Sequence, residues 1–130
     1  MRDQSPNSWE ARADAYSFYG FTDLPSVHER GTVVLTHGHG PYVVDTQGRQ
    51  YLDANSGLWN MVAGFDHPGL IAAAQAQYAR FPGYHAFFGR MSDQTVMLSE
   101  TLIEVSPFER GKPFYTNAGS EANDTIVKMV

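Results

Sequence analysis

Apolar positions recur at three- and four-residue spacing in several stretches and at tighter spacing in others, so the chain reads as mixed helix and sheet. Trp9, Ala13 and Tyr16 share one face of a short helix over residues 8–16, which Ser8 can cap. Phe18, Tyr19 and Phe21 follow around a break at Gly20. Residues 31–53 then carry the pattern of a β-meander. Its predicted strands are 32–36, 42–45 and 49–53, with Asp45-Thr46-Gln47-Gly48 as a turn. His37-Gly38-His39-Gly40 is expected in the loop between the first two strands. Residues 56–65 are apolar and punctuated by glycine. His67-Pro68 opens a helix over 69–80, and Ser92 starts another that runs through Ser106 and stops at Pro107. Phe114-Tyr115-Thr116, bounded by Pro113, reads as a buried strand. Small residues break it, and a helix resumes from Glu121 to Val130.

Composition adds bounds to this picture. The 130 residues, 42% hydrophobic and 18% charged, describe a globular chain able to bury a modest core. Net charge is −5 without a basic cluster, which gives little support to nucleic-acid or anionic-membrane binding. No cysteine is present, so disulfides and cysteine-ligated zinc are excluded. No apolar run has the length of a membrane span, and Met1 to Asn7 is too polar for a secretory signal, so the expected location is cytoplasmic. The helical pattern at Val130 has neither cap nor proline, and the expectation is that this is the front portion of a larger protein.

The densest chemistry lies in Phe114-Tyr115-Thr116-Asn117-Ala118-Gly119-Ser120-Glu121-Ala122-Asn123-Asp124. Strand, small-residue turn and helix start make an anion cup: Gly119 admits a close ligand, the first helical N–H groups lack partners, and Ser120 adds a hydroxyl. A phosphate would suit it. A Walker A loop is excluded, because no lysine lies between Gly119 and Thr125. A nucleophile elbow with Ser120 as nucleophile of a serine hydrolase is a second reading, since small residues occupy the two glycine positions of G-x-S-x-G. An ordinary helix start capped by Ser120 or Asn117 is a third. A binding or dimerisation module without catalysis is a further alternative for a chain this short. His37 and His39 are two apart, as metal ligands can be, but no third ligand is near, and both are read as turn residues. Phe81-Pro82-Gly83-Tyr84-His85-Ala86-Phe87-Phe88-Gly89-Arg90 is an irregular loop with so many aromatics that another part of the molecule or a second subunit should cover it.

Four words of this sequence carry a resemblance: Tyr51-Leu52-Asp53-Ala54-Asn55-Ser56-Gly57-Leu58-Trp59-Asn60, Gly64-Phe65-Asp66-His67-Pro68, the aromatic loop from Pro82 to Arg90, and the Phe114 to Asp124 stretch. In order and spacing they resemble the N-terminal part of the class III, pyridoxal-phosphate-dependent aminotransferases, in the ω-transaminase or amine:pyruvate branch. The resemblance covers nearly the whole chain. It implies an α/β, fold-type I transferase, with residues 1–65 as a small-domain segment of helix and β-meander and 66–130 as the beginning of the large cofactor-binding domain. Gly119 and Ser120 match the family's phosphate-binding pair, beside Ala118, where relatives often carry serine. Trp59 matches an aromatic wall of the substrate pocket, with Leu58 next to it, and Phe21 matches an entrance aromatic. Phe87 and Phe88 match a loop that reaches the active site of the partner subunit, implying a homodimer or higher oligomer with shared sites. The implied cofactor is pyridoxal 5′-phosphate, and the implied substrates are an amine and pyruvate or a similar keto acid. The family's Schiff-base lysine matches neither Lys112 nor Lys128 and is expected beyond position 130, so the segment alone should be inactive.

Overall fold

A computed structural model describes residues 5–130. They divide into two compact units, residues up to 75 and residues 76–130, each taken here by itself.

The first unit is built on a three-stranded antiparallel sheet in the order β1 (Leu35–His39), β2 (Tyr42–Asp45), β3 (Gln50–Leu52). The sheet register pairs His39 with Tyr42 and Val43 with Tyr51, and a bulge at Thr36 separates the Leu35–Asp45 pair from the His37–Val44 pair. Before the sheet come α1 (Trp9–Tyr16) and α2 (Leu24–Arg30). The Ser8 hydroxyl caps α1 by accepting from the Ala11 N–H at 3.2 Å, as its position predicts. The Thr46 hydroxyl donates to Glu10 and ties α1 to the β2–β3 turn. The Tyr19 and Thr32 hydroxyls share a hydrogen bond of 2.7 Å.

Two features of this unit differ from expectation. The first strand begins and ends about three residues later than the apolar run 32–36 suggests, so His37-Gly38-His39 is strand and not loop. The reason lies at Gly38: a Cβ there would sit 2.6 Å from Cγ of Phe65, so the ring occupies the space that a side chain would fill. The glycine marks a close approach inside a strand, and the turn falls at Gly40, with φ of 48°. Helix α2 was not legible in the apolar spacing. Its punctuation is nevertheless present: Asp23 precedes it, Pro25 sits in its first turn, and Gly31 closes it at φ 73°.

The β2–β3 turn is held by one buried carboxylate. Asp45 is 3% exposed and accepts from the backbone N–H groups of Gln47 and Arg49, both at 2.9 Å, from Arg49 Nε at 2.7 Å and from the Tyr51 hydroxyl at 2.9 Å. Burial alone would push its pKa up; the donors outweigh burial and lower it from 3.8 to about 2. Beyond β3 a single turn, α3 (Ser56–Trp59), leads to a clasp. The Phe65 N–H donates to the Gly40 carbonyl at 3.1 Å, and Asp66 accepts from the Gly40 N–H at 2.8 Å.

Helix α4 (Pro68–Arg80) opens as expected, with the His67 ring accepting from the Leu70 N–H at 3.3 Å, and it carries the chain across the boundary between the units. The second unit holds α5 (Asp93–Val105) and α6 (Gly119–Met129). Ser92 caps α5 by accepting from the Thr95 N–H at 3.3 Å. The segment Phe114-Tyr115-Thr116, predicted as a buried strand, has no regular structure and is not buried. A strand exists only by pairing, and no described segment pairs with it. Among the described residues Val44 is the one large apolar side chain that counts as buried. Apolar side chains of α4, α5 and α6, among them Leu70, Leu98 and Ile126, stand exposed.

Candidate functional site

Helix α6 begins two residues earlier than its charge pattern suggests, at Gly119 in place of Glu121. Its N-cap is Ala118, extended at φ −151° and ψ 158°, and no side chain caps the helix. Alanine has no acceptor to offer, so a stabilising contact of about 1 kcal/mol is forgone. The Glu121 carboxylate reaches back past the cap to accept from the Asn117 N–H at 2.9 Å, and from its side-chain amide at 3.4 Å. It therefore leaves the helix's own first donors alone. The first intrahelical bond runs from the Ala122 N–H to the Ala118 carbonyl. Among the described residues nothing accepts from the N–H groups of Gly119, Ser120 and Glu121. The helix dipole adds partial positive charge at the same place.

Gly119 is not required by the chain. Its φ is not positive, and a Cβ would meet nothing within 4 Å. The open space above it is what a closely approaching ligand needs. Ser120 lies in the first helical turn without positive φ, and its hydroxyl has no partner among the described residues. This favours the anion cup over both rivals. A nucleophile elbow needs a strained turn and a base at the serine. An ordinary capped start needs Ser120 or Asn117 as cap, and neither caps. Three free donors, a free hydroxyl and no steric cover fit a phosphate.

The predicted pocket residues share a different peculiarity. Positive φ is uncommon for residues with a Cβ and is an outlier for bulky ones. Among the described residues the non-glycine positions with positive φ are Phe21 (49°), Ser56 (48°), Leu58 (68°), Trp59 (75°) and Phe88 (56°). Four of these five are residues singled out from the sequence. Strain of this kind collects at sites where function demands a particular side-chain placement. Leu58 and Trp59 belong to α3, where Ser56, Gly57, Leu58 and Trp59 are left-handed in succession. Each non-glycine residue there costs about 1–2 kcal/mol. Asp53 holds the turn: its carboxylate accepts from the Asn55 N–H at 3.0 Å and the Gly57 N–H at 2.7 Å. Sequence reading placed Asp53 only at a strand end. The signal was there, because an Asp favours such bonds to the backbone N–H two residues on.

Phe87 and Phe88 sit in the loop between α4 and α5, with ring centroids 6.3 Å apart. His85 joins them: its ring lies 5.8 Å from Phe87 and 4.3 Å from Tyr84, and its Nδ1 accepts from the Phe87 N–H at 3.2 Å. Arg80 and Asp93 close the two ends of this loop through bonds of 2.8 and 2.9 Å. The guanidinium holds the Asp93 carboxyl below its usual range. Leu58 and Trp59 are neighbours, as are Phe87 and Phe88, and Ala118, Gly119 and Ser120 are contiguous. No ring contact joins Phe21 to Trp59. Lys128 pairs with Asp124. A cavity of about 560 Å³ lies beside α5, lined in part by Met91, Ile103 and Lys112, and none of the predicted site residues lines it.

The sequence pattern of the family described as aminotransferase class-III matches residues 25–130. The chain belongs to the class III aminotransferases. A PMP-bound aminotransferase from Vibrio fluvialis is 79% identical and superposes with a TM-score of 0.91, over 96% of this chain and 28% of that one. An ω-aminotransferase from Paracoccus denitrificans is 81% identical with a TM-score of 0.90, over 94% of this chain and 27% of that one. A putrescine–pyruvate aminotransferase from Pseudomonas aeruginosa is 34% identical over 122 residues, 94% of this chain and 27% of its own length. This class III aminotransferase chain thus spans little more than a quarter of the relatives it matches, and it has the fold of that region, part of a fold-type I enzyme. Among the described residues no helix is long and apolar enough to cross a membrane.

Proposed function

We propose that this chain supplies part of the active site of an ω-transaminase, which moves an amino group from an amine to pyruvate or a similar keto acid through pyridoxal 5′-phosphate. The observation that carries the reading is the open start of α6, with its three unpartnered N–H groups and uncovered Gly119. Gly119 and Ser120 would bind the cofactor's phosphate there, with Ala118 leaving the cap position free of a competing hydroxyl. When bound, the cofactor acts as the electron sink for both half-reactions. The chain's own contribution is to fix its anionic end with dipoles that need no reorganisation. Trp59, Leu58 and Phe21 would form apolar walls for the amine, and the run of strained φ values supports their shared role. An apolar wall admits amines without a carboxylate and excludes water around them.

Phe87 and Phe88 would reach the site of a second subunit in a homodimer or larger assembly, which gives this exposed aromatic loop the cover it lacks here. The apolar faces of α4, α5 and α6 would be covered by polypeptide outside this structure. No residue of this chain is assigned the role of the catalytic lysine. A soluble, cytoplasmic setting goes with the reading.

The test is amine-dependent alanine formation from pyruvate. The enzyme carrying this sequence should catalyse it and the isolated 130 residues should not. In the same enzyme Ser120→Ala should weaken cofactor binding by about 1.5–3 kcal/mol, the range of a hydrogen bond to a charged group. Transamination by the isolated chain, or unchanged cofactor affinity in the variant, would count against the proposal.

A further inference from the structure

We infer that Asp53 is a positioning residue for the amine pocket, acting through the left-handed turn that presents Leu58 and Trp59; the inference rests on the reading of those two as pocket walls. Four consecutive residues, Ser56 to Trp59, have positive φ, and three of them carry a Cβ. Apart from Gly57, nothing in their own chemistry favours this conformation. What opposes the strain is a convergence of donors on one residue. The Asp53 Oδ1 accepts from the Asn55 N–H at 3.0 Å and its Oδ2 from the Gly57 N–H at 2.7 Å, while its carbonyl accepts from the Ser56 N–H at 3.2 Å. Two of these backbone donors, at Asn55 and Gly57, therefore hold the Asp53 carboxylate, and the one between them, at Ser56, holds its carbonyl. The far side of the turn closes through the Trp59 N–H to the Asn55 carbonyl at 2.7 Å and the Asn60 N–H to the Ser56 carbonyl at 3.0 Å.

Asp53 is itself fixed to the sheet, since its N–H donates to the Pro41 carbonyl at 2.9 Å. It lines a separate cavity with Gly40, Pro41 and Phe65, in which neither Leu58 nor Trp59 takes part. The route that the described geometry offers from Asp53 to Leu58 and Trp59 is the turn. Trp59 is 80% exposed in this chain, so among the described residues it is the turn that orients it. The direction of its side chain is set by backbone φ, and φ at this turn is set by Asp53. Gly57 completes the device: a Cβ there would lie 2.9 Å from the Asn60 side-chain oxygen.

The experiment measures kcat/KM for a bulky aryl amine and a small alkyl amine, with pyruvate as acceptor, in the cofactor-loaded enzyme that carries this sequence. Trp59→Ala reports whether the pocket reading holds. Asp53→Ala should shift the ratio of the two values in the same direction, by roughly tenfold to a hundredfold, the loss that a displacement of order 1 Å brings. Cofactor affinity should stay unchanged. Asp53→Asn keeps the shape and one acceptor oxygen, and should shift the ratio less. Adding Ser56→Gly to Asp53→Ala removes the cost of positive φ at one strained position and should restore part of the ratio. An unchanged ratio in both Asp53 variants, with a shifted ratio in Trp59→Ala, overturns the assignment of Asp53. An unchanged ratio in Trp59→Ala overturns the pocket reading instead. A shift in Asp53→Ala that Ser56→Gly does not reduce overturns the role of the strained turn.

Discussion

Replacing Gly119 by proline isolates one backbone donor of the α6 cup. Proline at the first helical position loses no intrahelical bond, and its fixed φ near −65° suits the helix. The Gly119 N–H has no acceptor among the described residues, so none is broken. Proline also constrains the residue before it to extended backbone, and Ala118 is already there at φ −151° and ψ 158°. A substitution so compatible should raise stability by about 0.4–1 kcal/mol through the unfolded chain. Its cost to the cofactor is separate. One charge-assisted hydrogen bond to phosphate, about 1.5–3 kcal/mol, is removed. The dissociation constant should rise roughly tenfold to a hundred-and-fifty-fold. Gly119→Ala is the control for bulk, because it keeps the N–H and its Cβ meets nothing within 4 Å of the chain. The assay pairs a cofactor titration by absorbance with urea unfolding of the apo enzyme carrying this sequence. Affinity should fall in the proline variant while stability holds or rises. Equal affinities in wild type and Gly119→Pro would refute the reasoning, and an equal loss in Gly119→Ala and Gly119→Pro would show that bulk, not the donor, matters.

Two other consequences concern the meander. Asp45 has a folded-state pKa of about 2 against an ordinary 3.8, so its contribution to stability is complete above about pH 4 and is lost as pH falls through 2. Carboxyl titration by NMR, with exchange rates of the Gln47 and Arg49 amides, should show that window, and titration near 4 would contradict it. Gly38→Ala should destabilise by about 1–3 kcal/mol through overpacking against Phe65, whose backbone is tied to Gly40. Urea unfolding reads this; no loss in Gly38→Ala would mean that the ring moves freely.

Elements whose ends are marked by side-chain chemistry were legible. Ser8 caps the helix it was expected to cap, Ser92 caps the helix it was expected to start, and the β2–β3 turn falls at Asp45 to Gly48. Family membership was legible because four widely spaced words agree in order. The misreadings share one cause, which is that a tertiary neighbour decides. The first strand is displaced because Phe65 packs on Gly38, from 27 positions away, where no local pattern could show it. Residues 114–116 have strand composition but no partner strand. Helix α2 was missed for the opposite reason: its caps are plain, while its seven residues are too few for apolar spacing to register. The left-handed φ values at Phe21, Leu58, Trp59 and Phe88 leave no trace in composition, because bulky residues are the last to be expected there.

The most direct measurement is a crystal structure of the cofactor-loaded enzyme carrying this sequence. The account predicts phosphate oxygens within about 3.2 Å of the Gly119 and Ser120 backbone nitrogens, in hydrogen-bond range. A phosphate held elsewhere, with those two N–H groups bonded to water or to a side chain, would contradict it.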